Sequence, residues 1–167
     1  MIIFTDKAAC RKSSEGIVNT ENLGRFECKP GCEKENRMKI LVGLDGSNTS
    51  EAALQLAIRT ANAYNADLLV ITSMATGTTD ENDEIRNAKK GLEEAEVRAQ
   101  QAGVSCSTHL LIRGKTVGED IVAFAAENAI DLIVVGVKRR SRVGKILMGS
   151  NAQFVIIKAG CPVLTVK

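Results

Sequence analysis

From position 38 onward the chain repeats one rhythm, and that rhythm constrains its fold more than any other feature: a short run of Ile, Leu and Val, then a longer segment with apolar residues at helical spacing. The runs at 39–44, 67–73, 104–112, 131–137 and 162–166 read as strands. After the first comes turn chemistry, Asp45-Gly46-Ser47, then an expected capping box of Asn48 with Glu51 and a stripe of Ala53, Leu54, Ala57, Ile58 and Ala61. A second helix is predicted over 81–101, with Ile85, Ala88, Leu92, Ala95 and Ala99 as its apolar points and Gly103 closing it. The third, over 117–128, turns Ile121, Val122, Phe124 and Ala125 inward, and the fourth spans 150–159. Five strands alternating with four helices need right-handed crossovers, which predicts an α/β class: a doubly wound, five-stranded parallel sheet of Rossmann-like type, covered on both faces.

Residues 1–37 lack that periodicity, so the expected organisation is a poorly ordered extension over 1–37, or upstream sequence read from an early start codon, followed by one domain over 38–167. A hydrophobic fraction of 44 % in 167 residues supplies one core. The balance of 22 basic against 20 acidic groups argues against a generally cationic nucleic-acid binder, and 3 % aromatics, with no Trp, cannot build a base-stacking platform. No apolar run approaches the roughly 18 residues that cross a bilayer, and the N-terminus lacks the basic flank and apolar stretch of a secretory signal. No membrane attachment is expected, and the expected compartment is the cytoplasm. Five cysteines are an odd number, and Cys106 and Cys161 lie in apolar segments, which does not suit a disulfide-stapled secreted fold.

Ligands of doubly wound sheets sit outside the carboxyl ends of the strands where strand order reverses, which directs attention to 45–47, 73–75 and 136–150. In the last of these, Gly136, Gly144 and Gly149 permit close approach of backbone to a ligand. The N–H groups around Gly149, Ser150 and Asn151 at the start of the fourth helix are anion donors, and Ser150 adds a hydroxyl. Five of the eight residues over 138–145 are basic (Lys138, Arg139, Arg140, Arg142 and Lys145), a field that favours polyphosphate. The same residues can also be read as a solvated basic loop with a glycine helix cap. Asp45 is an acceptor at the mouth of the switch point and suits ribose or adenine N–H recognition; an Asp before Gly is also a common turn residue.

Met-Lys-Ile-Leu-Val-Gly-Leu-Asp-Gly-Ser at 38–47, Val134-Val135-Gly136, Gly149-Ser150 and the closing Cys-Pro-Val-Leu-Thr-Val at 161–166 together resemble the universal stress protein family over 38–167. Its ATP-binding branch carries Gly, two residues, Gly, nine residues, then Gly and Ser or Thr. Gly136, Gly149 and Ser150 occupy the first, third and fourth of those positions, and Arg139 stands where the second Gly belongs. Its side chain could crowd a phosphate, or its guanidinium could replace lost N–H bonds. The resemblance implies ATP, with Mg²⁺ bridging its phosphates. Adenosine would lie near Gly43, Asp45 and the backbone of Ser73. The phosphates would run along Gly136, Val137, Lys138, Arg139, Arg140, Ser141 and Arg142 and over Gly149, Ser150, Asn151 and Ala152. It further implies a nucleotide-responsive stress regulator that homodimerises through the C-terminal edge strand.

No P-loop or dinucleotide fingerprint follows the first strand. His109, the sole histidine, sits inside the third strand and reads as structural, and no carboxylate cluster supplies a general base, so ATP hydrolysis is expected to be weak if it occurs. No catalytic residue and no protein-held metal site are expected in the domain. Three alternatives stay open: a family member that acts through dimerisation and partners without nucleotide, a redox or zinc sensor using Cys10, Cys28 and Cys32, and a nucleic-acid patch on the basic loop.

Overall fold

The computed structural model describes residues 37–74, 81–137, 140–141, 146–147 and 149–167. The expected extension therefore lies outside the described residues, Arg37 excepted. Along the chain run β1 (Lys39–Gly43), α1 (Asn48–Tyr64), β2 (Asp67–Met74), α2 (Glu81–Gln101), β3 (Cys106–Ile112), α3 (Val117–Glu127), β4 (Leu132–Gly136), β5 (Arg140–Ser141), β6 (Ile146–Leu147), α4 (Ser150–Lys158) and β7 (Val163–Val166). Five strands form one parallel sheet in the order β3-β2-β1-β4-β7, so the winding reverses between β1 and β4. The short antiparallel pair β5–β6 is a feature that the apolar periodicity does not predict.

Strand alternation divides the buried side chains into two cores. Ile40 and Val42 of β1, Leu68 and Val70 of β2 and Val134 of β4 face α1 and α2, where Ala53, Leu54, Ala57, Leu92 and Ala95 cover them. Leu41, Leu69, Ile71, Ile133 and Val135 face the other way, toward Ile121, Phe124 and Ala125 of α3 and Val155 of α4. Small residues on α1 let the helix lie close to the sheet, and continuous burial of both strand faces is what a parallel sheet sandwiched by helices demands.

Two helices begin with reciprocal caps. The α1 box is made by Ser47 and Ser50 rather than by Asn48 and Glu51: the Ser50 N–H donates to Ser47 Oγ at 3.3 Å and the Ser47 N–H to Ser50 Oγ at 3.1 Å. Glu51 instead reaches across to α2, where Arg98 Nη1 donates to its Oε2 at 2.6 Å. Thr116 and Glu119 form the corresponding box on α3, and the bonds from Thr116 hold the Glu119 carboxyl below its ordinary range. That contribution to the cap is present above the ordinary glutamate range and is lost as pH falls through the lowered value. Gly46, at φ +70°, turns the chain from β1 into α1.

Gly136 ends β4 directly beneath the first turn of α1. A Cβ at this position would overlap the Thr49 carbonyl and come within 2.9 Å of the Ser50 amide nitrogen. Its missing side chain therefore serves helix-on-strand packing. Both obstructing groups are backbone, so a methyl group can be accommodated only by moving α1. Gly136→Ala is expected to destabilise the domain by about 3 kcal/mol, the upper part of the usual overpacking range, read as a lower urea midpoint. An unchanged midpoint would refute this account of the contact.

Candidate functional site at the strand-order reversal

A cleft opens at the carboxyl ends of β1 and β4, where the winding reverses. Gly43, Leu44 and Asp45 line it from β1 and its turn, Ile71 and Ser73 from β2, Val135 and Gly136 from β4, Val117 and Ile121 from α3, and Asn151, Ala152 and Val155 from α4. Its volume of about 90 Å³ is well below the 300–1,000 Å³ typical of small-molecule sites, so it has room for only part of a drug-sized molecule.

The expected site residues separate into groups. Gly43, Asp45, Ser73, Gly136, Asn151 and Ala152 converge on the cleft. Gly149 and Ser150 lie at its α4 end, as N-cap and first residue of that helix. Val137 does not line the cleft: it is buried, and its N–H donates to the Val166 carbonyl at 2.7 Å, which commits that amide to the sheet. Arg140 and Ser141 contribute backbone to β5. Lys138, Arg139 and Arg142 lie outside the described residues, as do Cys10, Cys28 and Cys32.

Asp45 stands exposed at the rim with its Oδ1 accepting from the Ser47 N–H at 3.0 Å, so it shapes the β1–α1 turn as well as facing the opening. At the opposite end, α4 differs from α1 and α3. Gly149 caps it with no side-chain bond, and its first turn carries no acidic residue. The amides of that turn, with the helix dipole behind them, suit an anion. Among the described residues nothing lies within 4 Å of where a Cβ on Gly149 would stand, and the backbone there (φ −61°, ψ 143°) is open to any residue.

Sequence reasoning missed the apolar walls and one acid. Asp120, in the first turn of α3, is fully buried, and its Oδ2 accepts from Ser73 Oγ at 2.5 Å. The available signal was an acid on the stripe that also buries Ile121, Phe124 and Ala125. His109 packs against Phe124 with ring centroids 5.0 Å apart, as a structural histidine does. Among the described residues no group of three or more His, Cys, Asp or Glu side chains is placed to hold a metal ion, and no helix is long and apolar enough to cross a membrane.

Known proteins share this architecture. The model of the universal stress protein family matches residues 36–167, and the chain belongs to that family. It is 33 % identical over 140 residues to universal stress protein MJ0531 of Methanocaldococcus jannaschii, a match spanning 77 % of this chain and 81 % of that one. A universal stress protein from Archaeoglobus fulgidus, solved in complex with dAMP, superposes with a TM-score of 0.66 at 34 % identity, covering 78 % of this chain and 98 % of the other. A further universal stress protein, in complex with cAMP, gives 0.61 at 28 % identity, with coverages of 78 % and 96 %.

Burial, with the Glu96 charge adding to it, pushes the Cys106 thiol up to about 11, and burial together with Asp131 raises Cys161. Both are protonated at neutral pH, and the thiolate is the reactive form. Folded protein at pH 7.5 should therefore leave Cys106 unmodified by iodoacetamide under conditions that alkylate it in urea. Equal labelling in both states would contradict this environment.

Proposed function

We propose that this universal stress protein binds an adenine nucleotide in the cleft between β1 and β4, with the adenosine toward Gly43, Asp45 and Ser73 and the phosphates over Gly149, Ser150, Asn151 and Ala152. The observation that carries this reading is the pairing of a half-apolar cleft at the winding reversal with an α4 N-terminus that has no side-chain cap. The dAMP and cAMP bound by the two similar proteins support the same ligand class. ATP is the nucleotide proposed, with Mg²⁺ bridging the phosphates, and Lys138, Arg139, Arg140, Ser141 and Arg142 following them along the segment after β4. Binding shifts the protein between states that select partners, and hydrolysis is at most slow. The site of action proposed is the cytoplasm, and the working unit is the domain over 38–167.

Calorimetric titration with ATP and Mg²⁺, with GTP as control, tests this directly. Gly149→Val should abolish binding, because its side chain would stand beside the α4 amides where the phosphate is proposed to lie, with no described residue within 4 Å of its Cβ, and should lower stability by no more than about 1 kcal/mol, the scale of a changed N-cap. Wild-type affinity in that variant would displace the phosphate site from α4. Failure of wild-type protein to bind at millimolar ATP would end the nucleotide reading.

The proposed partner is a second copy of the chain. β7 is an edge of the sheet, with one side of its backbone unpaired by the rest of the sheet and Leu164 37 % exposed upon it. Sedimentation at micromolar concentration should show a dimer that Leu164→Glu converts to monomer; a monomeric wild type would exclude this interface.

A further inference from the structure

The role of Gly118 deepens the nucleotide reading and rests on it. Helix α4, which carries the proposed phosphate end, is lightly anchored: Val155 is its one buried side chain, whereas α3 buries Ile121, Phe124 and Ala125. The first bond within α4 runs from the Gln153 N–H to the Gly149 carbonyl at 3.0 Å, so the amides of Ser150, Asn151 and Ala152 lie ahead of the helix's own bonding. Where they point is set by what that turn rests on. It rests on Gly118, which is buried in the first turn of α3 at a position where alanine is the better helix former. A Cβ there would stand 3.2 Å from the Asn151 carbonyl oxygen, 3.3 Å from Asn151 Cα and 3.2 Å from Phe154 Cβ, all closer than ordinary van der Waals contact. The missing side chain is what lets the two first turns meet. Asn151 belongs to both surfaces, packing on Gly118 and lining the cleft beside Ala152, and Val117 and Ile121 of α3 line the same cleft.

We propose that Gly118 is a positioning residue for the phosphate end of the cleft: its bare Cα sets how deeply α4 seats against α3, and with it the aim of the Ser150, Asn151 and Ala152 amides at an anion. It touches no ligand itself. A methyl group at 118 has to be met by a movement of a few tenths of an ångström. With a single buried side chain to hold it, α4 is the element that yields. Hydrogen bonds from backbone amides to a phosphate are short and directional, so a tilted first turn loses them in part. Gly43, Asp45 and Ser73, at the adenosine end, come from β1, its turn and β2, and are not carried by α4. Crowding at 118 therefore acts on the phosphate and spares the nucleoside.

The test compares AMP with adenosine by calorimetry on the full chain, and the quantity read is the AMP-to-adenosine affinity ratio. Gly118→Ala should lower that ratio about tenfold, the scale of one hydrogen bond to a charged group, through loss of AMP affinity with adenosine affinity unchanged. Ile130→Val controls for stability alone. Ile130 is buried in the same core but lies before β4, at the far end of that strand from the cleft, so its truncation should lower the melting temperature and leave the ratio where it was. A folded Gly118→Ala protein with the wild-type ratio, or with AMP and adenosine weakened equally, overturns the proposal while the nucleotide site stands. A Gly118→Ala chain that fails to fold also overturns it, because α4 then does not yield to the added methyl. Wild-type protein that binds neither ligand overturns both the proposal and the nucleotide reading.

Discussion

The contact that organises this domain is the one between the last residue of β4 and the first turn of α1. A helix can start so close to a neighbouring strand only where that strand ends without a side chain, and Gly136 meets that condition against Thr49 and Ser50. The consequence is geometric. The turn leaving β1 and the end of β4 are held side by side, Asp45 is brought to one rim of the cleft, and the chain leaving β4 is sent off to reach the start of α4. Capping reinforces the arrangement, because Ser50, under which Gly136 packs, is also half of the box that starts α1.

Two glycines of one sequence motif thus have unlike physical roles. Gly136 is required by a packed neighbour, and Gly149 has no described residue within 4 Å of its missing Cβ and stands in an unstrained conformation. A motif written in letters cannot separate the residue that positions a site from the residue that leaves it room. The distinction lies in what surrounds each missing Cβ.

Much of the fold was legible because each strand carries its burial as an unbroken apolar run and each helix as a stripe; β1, β2 and β4, buried on both faces, were the clearest. Boundaries depended on finer chemistry. Asn48 with Glu51 has the spacing of a capping box, yet the helix starts from Ser47 because Ser50 can return the bond and Glu51 is engaged by Arg98. The β5–β6 pair escaped because two-residue strands carry no period. In the site, Asp45, Ser73 and Gly136 stand at strand ends to which the fold class directs attention, and Gly43 follows from the family resemblance, whereas Asp120 is 47 residues from Ser73 and meets it only through the packing of α3 on β2. Val137 shows the opposite limit: adjacency to a motif glycine did not reveal that its amide belongs to the β4–β7 ladder.

The two cores described above are unequal in duty. Ile71, Ile121, Val135 and Val155 serve both as core and as cleft wall, all on the α3–α4 side, while among the described residues the core under α1 and α2 reaches the opening only at Leu44. One side of the sheet is thereby a foundation and the other a workbench. Substitutions that reshape the cavity fall on the second side and leave the first side's packing in place, but because these walls are also core they are felt in stability as well as in the shape of the opening.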